Sequence, residues 1–165
     1  MAAGAMGLHG YGRRLARVAQ AAGRMRRIDL RRFGEMTRLI GLYQRLHDKR
    51  PLPELVSAFD SEPRSDELPS DLKRITRQID LLMRLVYRDR YCMKRSLLHF
   101  HYMRRMGLPV TLQFGVTRTG DGLTGHAWVE LAGEPYAERF DPRERFARTW
   151  SYPQEPESDS SATHN

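Results

Sequence analysis

Residues 92–97 read Cys-Met-Lys-Arg-Ser-Leu, residues 125–130 read Gly-His-Ala-Trp-Val-Glu, and an aspartate stands at position 141. These segments supply the single cysteine of the chain, a histidine and a carboxylate, in the order Cys92, His126, Asp141. One thiol, one imidazole and one carboxylate are the parts of a cysteine-nucleophile triad. The remaining sequence must therefore provide a fold that brings the three side chains together.

The cysteine is predicted to lie at the start of a helix. Asp89 can cap a helix that runs from about Tyr91 to Met106, and Gly107 can end it. Cys92 then falls in the first turn, where free N–H groups and the positive end of the helix dipole favour a thiolate. The neighbouring cationic side chains that should lower the thiol pKa further are Arg88, Arg90, Lys94 and Arg95.

The histidine is predicted to lie in a strand. Residues 110–116 and 126–131 have the composition of strands, separated by a glycine-rich turn at 117–125, and residues 136–140 form a possible third strand. Alternation places His126, Trp128 and Glu130 on one face and apolar residues on the other. A polar and aromatic face opposite an apolar one indicates a functional site.

A nucleophilic mechanism assigns a role to each residue. His126 would act as base and then as acid, which requires it to lie within about 3 Å of Cys92. Asp141, at the end of the third strand, would orient the imidazole, with Glu138 as the alternative. The backbone N–H of Cys92 would stabilise an oxyanion, and Gln113 is a possible second donor.

Helices are predicted upstream of the cysteine. A stripe of apolar residues from Leu30 to Leu46 indicates one helix, and Pro53 can begin a short second one. A third helix should follow a cap at Ser70 or Asp71. Its buried side is predicted to be Ile75, Ile79, Leu82 and Val86. Helices followed by an antiparallel meander predict an α+β fold.

The chain is predicted to form one domain with appendages. We expect a basic, weakly ordered arm at 1–28, a helical lead-in at 29–70, a catalytic core at 71–153 and a disordered acidic tail at 154–165. The 165 residues are enough for a single core.

The net charge of +8 is unevenly distributed. Residues 1–50 hold twelve basic and three acidic side chains, whereas residues 51–153 carry only +2 and residues 154–165 carry −3. The partner of the basic region could be an acidic peptide, an acidic protein face, an anionic lipid or nucleic acid, and charge alone does not choose among them. The near-neutral second half lacks the basic stripe with interleaved aromatics that would indicate nucleic acid. No apolar run is long enough for a membrane span, and one cysteine fits a reducing, cytoplasmic compartment.

The two quoted motifs, together with Met-Gly-Leu-Pro-Val at 106–110 and Phe-Gly-Val at 114–116, resemble the lasso-peptide leader peptidases. These are the transglutaminase-like protease halves of the lasso B proteins. The resemblance covers residues 72–152, and the lead-in from about 29 fits more loosely. It implies a papain/transglutaminase-like core, with Cys92 as nucleophile, His126 as base and Asp141 as third member.

The resemblance also implies partners. The substrate would be the leader of a ribosomally synthesised precursor peptide, and an ATP-dependent macrocyclase would close the product. The leader-recognition module would be a separate protein that either the basic N-terminal region or the helical lead-in engages. No cofactor or metal is expected, because Cys92 and His99 stand about 10 Å apart along a helix and cannot share one zinc ion. The alternatives are a transglutaminase-like transamidase and a non-catalytic basic scaffold.

Overall fold

A computed structural model of the chain describes residues 27–66, 68–87, 91–120 and 122–153, with side chains from residue 30 onward. Nearly all of the predicted N-terminal arm (1–28), the predicted acidic tail (154–165) and the predicted cap Asp89 lie outside the described residues. Among the described residues, no helix is both long and apolar enough to cross a bilayer.

Two helices come first in the part of the chain that the structure describes. Helix α1, Arg27–Leu46, begins three residues before the predicted start at Leu30. Helix α2, Leu52–Ser57, carries a proline in its first turn, where the missing N–H costs no helical hydrogen bond. The buried residues of α2 pack beneath the sheet and anchor the segment that connects it to the next helix.

Helix α3, Leu72–Val86, follows a 3₁₀ turn at Pro69–Asp71. Ile75, Ile79 and Leu82 are buried as the periodicity predicts. Val86 was expected on the same side, but 55% of it is exposed because the helix ends there. Asp71 precedes the helix without a side-chain cap, and its carboxylate pairs with Arg32 at 3.2 Å instead.

Helix α4, Cys92–Arg105, lies between two apolar clusters and organises the molecule. One side packs on the sheet and on α2 through Leu97 and Phe100. The other side packs against α1 and α3 through Leu98 and Tyr102. Because the helix is buried on both sides, the position of its first turn is fixed from two directions.

The described residues form a four-stranded antiparallel sheet in the order β3-β2-β1-β4. The strands are β1 Val110–Thr119, β2 Gly122–Leu131, β3 Glu134–Pro135 and β4 Ala147–Tyr152. Four helices and this sheet confirm the predicted α+β class.

Two details of the predicted meander are wrong. Residues 117–125 were expected to form a turn, but β1 and β2 pair through almost all of them, and only the tip around Gly120 (φ 57°) turns. Residues 136–140 were expected to form the third strand, but they are irregular. On the edge of β1 opposite β2, the pairing strand is the unpredicted β4.

Gly115 provides a test of this packing. A Cβ at this position would stand 2.9 Å from the carbonyl oxygen of Ala147 and 2.9 Å from Cβ of Phe146. We expect Gly115→Ala to lower the free energy of unfolding by about 1–3 kcal/mol, because backbone must shift to admit the methyl group. Gly34→Ala is the matched control, since nothing lies within 4 Å of its added Cβ.

Chemical denaturation of the two variants measures the difference. The control should be neutral or slightly stabilising, since alanine favours a helix over glycine by about 1 kcal/mol. Equal stability of Gly115→Ala and Gly34→Ala would contradict the packing described.

Candidate active site

The main chain of Ala127 joins the core helix to the sheet. Ser96 Oγ donates a hydrogen bond to its carbonyl oxygen at 2.8 Å, and its N–H points to the sulfur of Cys92. Both groups of Ala127 therefore point away from β1 and face the first turn of α4. This contact brings the residue before Ala127, His126, beside the thiol.

The thiol and the imidazole form a polarised pair. Burial alone would raise the pKa of Cys92, but hydrogen bonds from His126 and from backbone N–H groups of Ala127 and Met93 outweigh it and lower the pKa. Burial alone would lower the pKa of His126, but its hydrogen bonds to Cys92 and Glu138 raise that pKa to about 9. Each member of the pair therefore stabilises the charged form of the other.

Glu138 is the carboxylate that meets the imidazole. Its Oε2 lies 3.3 Å from Nε2 of His126, and both side chains are largely buried. Since Nε2 is taken by Glu138, Nδ1 is the ring nitrogen left for Cys92. The structure therefore places Cys92, His126 and Glu138 in line, an arrangement that can supply a nucleophile, a base and an orienting acid.

Arg95 holds Glu138 in this position. Its Nη1 donates to Glu138 Oε1 at 3.0 Å, its Nη2 to the carbonyl oxygen of Ala137 at 2.6 Å, and its Nε to Asp80 Oδ1 at 2.9 Å. Ala137 has a φ of 58°, a left-handed conformation that costs a non-glycine residue energy. The guanidinium thus fixes a strained turn so that the next carboxylate reaches His126.

Asp141 does not lie at the imidazole. Its carboxylate accepts hydrogen bonds from Nε and Nη2 of Arg143, at 3.0 and 2.7 Å, and from the N–H of the same residue at 2.9 Å. The Arg143 hydrogen bond lowers the pKa of Asp141. The structure thus brings together two of the three sequence-predicted residues, and the alternative, Glu138, occupies the expected place of Asp141.

The polar and aromatic face of β2 is largely an internal layer. Trp128 and Glu130 are buried, and the indole Nε1 donates to Glu130 Oε1 at 3.1 Å. Gln113 donates through Nε2 to Thr111 and to Glu130, so its amide is not directed at Cys92 as an oxyanion donor. Only His126, the remaining member of this face, borders a cavity.

Three aromatic rings surround the imidazole of His126. The ring of His126 stacks on Phe146 with centroids 5.0 Å apart and lies 6.0 Å from Trp128 at an interplanar angle of 15°. Phe140 stands 6.1 Å away on the cavity side. These contacts restrict ring rotation, so that Nδ1 and Nε2 keep their separate partners.

A cavity of about 570 Å³ opens over the pair. It is bordered by α3, by the start of α4 and by the turn after β3. Its lining includes Cys92 and His126, together with Asp80, Arg95 and Glu138. The thiol is therefore reachable by a ligand the size of several amino-acid residues.

The expected cationic setting of the thiol takes a different form. Lys94 Nζ lies over the rings of Tyr43 and Tyr87, 4.8 and 4.7 Å from their centroids, and Arg95 is bound to carboxylates. Arg88 and Arg90 lie outside the described residues. The low thiol pKa follows from His126 and from backbone N–H groups instead.

The lowered thiol pKa makes a measurable prediction. Wild-type Cys92 should react with iodoacetamide at about pH 7 faster than free cysteine, because its thiolate fraction is larger. In His126→Asn the imidazolium is gone while burial remains, so the pKa of the thiol rises and the rate at about pH 7 should fall by about ten-fold or more. The full pH profile should move to higher pH, and superimposable profiles would contradict the pairing.

The carboxylate that orients His126 can be identified by comparing two isosteric changes. Glu138→Gln should reduce Cys92-dependent hydrolysis of p-nitrophenyl acetate by about 10²-fold or more, because the imidazolium loses its counter-charge. Asp141→Asn should stay within about three-fold of wild type, since asparagine can still accept the Arg143 backbone hydrogen bond. The opposite ranking would restore Asp141 as the partner of His126.

Comparison with known proteins identifies the family. No curated protein and no solved structure matches the chain. The sequence profile of the transglutaminase-like superfamily matches residues 26–151. This range includes the whole of the four described helices, the first three strands and most of β4. That superfamily generally includes cysteine peptidases and transglutaminases. The match covers well over half of the sequence, so this chain belongs to the transglutaminase-like superfamily.

Proposed function

We propose that the chain is a cysteine peptidase that removes the leader from a lasso-type precursor peptide. The observation that carries the proposal is the chain of contacts from Cys92 through His126 to Glu138 at the floor of an open cavity. A thiolate beside an imidazolium, with a buried carboxylate behind it, is the arrangement needed for acyl transfer through a thioester.

The chemistry follows from these positions. The Cys92 thiolate attacks the carbonyl carbon of the scissile peptide bond, and the oxyanion that forms meets the backbone N–H of Cys92 in the first helical turn. The His126 imidazolium gives its proton to the departing amine, which leaves an acyl thioester. The neutral imidazole then takes a proton from water, and the hydroxide releases the acid and regenerates the thiolate.

Glu138 and Arg95 influence which group carries the proton during these steps. Glu138 stabilises the imidazolium that donates to the amine. Arg95 keeps Glu138 oriented, because two of its nitrogens bind the carboxylate and the preceding carbonyl group. The proton therefore stays on His126 until the leaving amine receives it.

The choice of a lasso precursor rests on sequence resemblance. The Cys-x-x-Arg-Ser-Leu segment at 92–97 and the His-Ala-Trp-Val-Glu segment at 126–130 supply it. Three of these residues have roles in the site: Arg95 orients Glu138, Ser96 binds Ala127, and Trp128 packs near His126. A separate leader-recognition protein and an ATP-dependent macrocyclase are the partners in this proposal.

The proposal is tested with a candidate lasso-type precursor peptide and a candidate leader-recognition protein. Wild type should release the leader with the gain of one water, as followed by mass spectrometry, and Cys92→Ala should lose more than about 10³-fold in rate. Alanine suits the first helical turn, so circular dichroism should report an unchanged fold.

Two outcomes would overturn this assignment. Undiminished cleavage by Cys92→Ala would remove the nucleophile. Product masses that correspond to transfer of the acyl group to an added amine, with no hydrolysis, would make the protein a transamidase.

A further inference from the structure

The charges of the cavity are not balanced. Its two carboxylates already have cationic partners: Asp80 binds Arg95, and Glu138 binds both Arg95 and His126. The Cys92 thiolate is likewise paired with His126. Asp80, Glu138 and the Cys92 thiolate thus carry three negative charges against the two positive charges of Arg95 and His126, so these internal ion pairs leave a net charge of −1.

Two further arginines line the cavity. Arg84 projects from the last turn of α3, and Arg139 follows Glu138 in the turn after β3. Both are exposed, and neither makes an ion pair or side-chain hydrogen bond with any residue that the structure describes. They belong to different walls, and with them the cavity lining carries four cations (Arg84, Arg95, Arg139 and His126) against three anions (Asp80, Glu138 and the Cys92 thiolate), a net charge of +1.

The rim of the cavity adds to the positive charge. Phe140 lines the opening, and the guanidinium of Arg145 lies 4.6 Å from its ring centroid. The nearby acids of the same segment, Asp141 and Glu134, are bound to Arg143 at 2.7 and 3.0 Å. Asp141 and Glu134 are thus not available as partners of Arg84 and Arg139.

We propose that Arg84 and Arg139 select a peptide that carries an acidic side chain beside the scissile bond. The inference rests on the proposed function, since it names a feature of the substrate of that same site. Guanidinium groups bind carboxylates through two parallel hydrogen bonds, and a concave site with surplus positive charge concentrates anions. The two arginines would set the register of the peptide over Cys92.

The field of these arginines can be measured without knowledge of the substrate. Iodoacetate and iodoacetamide alkylate thiolates by the same displacement and differ chiefly in one negative charge. Their rate ratio at Cys92 therefore reports the electrostatic potential above the sulfur. We expect Arg84→Gln and Arg139→Gln each to lower the iodoacetate-to-iodoacetamide ratio by about two- to five-fold, and the double variant by roughly the product.

The matched control is Arg38→Gln, an exposed arginine of α1 that does not line the cavity. It removes the same net charge and should leave the ratio unchanged. Iodoacetamide rates alone should be similar in all variants, which shows that the thiolate itself is intact. The effect should weaken as salt is raised, because screening shortens the reach of both arginines.

A second arm tests the peptide itself. Cys92 should be labelled faster by acetyl-Ala-Asp-Ala chloromethyl ketone than by its Asn counterpart, and this preference should disappear in the Arg84→Gln, Arg139→Gln double variant. Equal rate ratios in wild type, the arginine variants and Arg38→Gln would overturn the inference, as would an Asn preference in wild type. If the ratios behave as expected but no precursor is cleaved, the substrate preference stands and the peptidase proposal fails.

Discussion

The two hydrogen bonds at the main chain of Ala127 are the constraint on which the site depends. Ser96 occupies its carbonyl group and Cys92 its N–H, so the outer edge of β2 is fastened along one turn of α4. Because α4 is itself packed on both sides, this fastening fixes the distance between the thiol and the neighbouring imidazole. A slip of one residue in the β1–β2 register would turn His126 to the opposite face of the sheet.

The second constraint is the guanidinium of Arg95. It lies one turn after Cys92, and it reaches the turn that carries Glu138 as well as Asp80 on α3. One side chain thus ties the third member of the site to two helices. The same side chain is shared by two carboxylates of the cavity, and Arg84 and Arg139 on the lining turn its net charge positive.

The helices and the core hairpin were predictable to different degrees. Apolar periodicity located α1, α3 and α4, because a helix that packs on one side records its burial every three to four residues. Strand β4 escaped prediction: Ala-Arg-Thr-Trp-Ser-Tyr at 147–152 has three exposed residues followed by three half-buried ones, without alternation. Its pairing with β1 depends on a long connection whose course no local pattern encodes.

The sequence by itself determined that Cys92 and His126 are the candidate thiol and imidazole, and the structure brings these two side chains together. The chain offers one thiol, its helix start is marked locally, and the histidine stands in a strand with a distinctive alternation. Tertiary structure alone decided which carboxylate meets the imidazole, since the local sequence favoured Asp141 and left Glu138 as the alternative. Arg143, two residues away, binds Asp141, whereas Arg95, 43 residues away, directs Glu138 to the imidazole. The physical reason is that a bound arginine fixes the position of each carboxylate, and only folding brings Arg95 to Glu138.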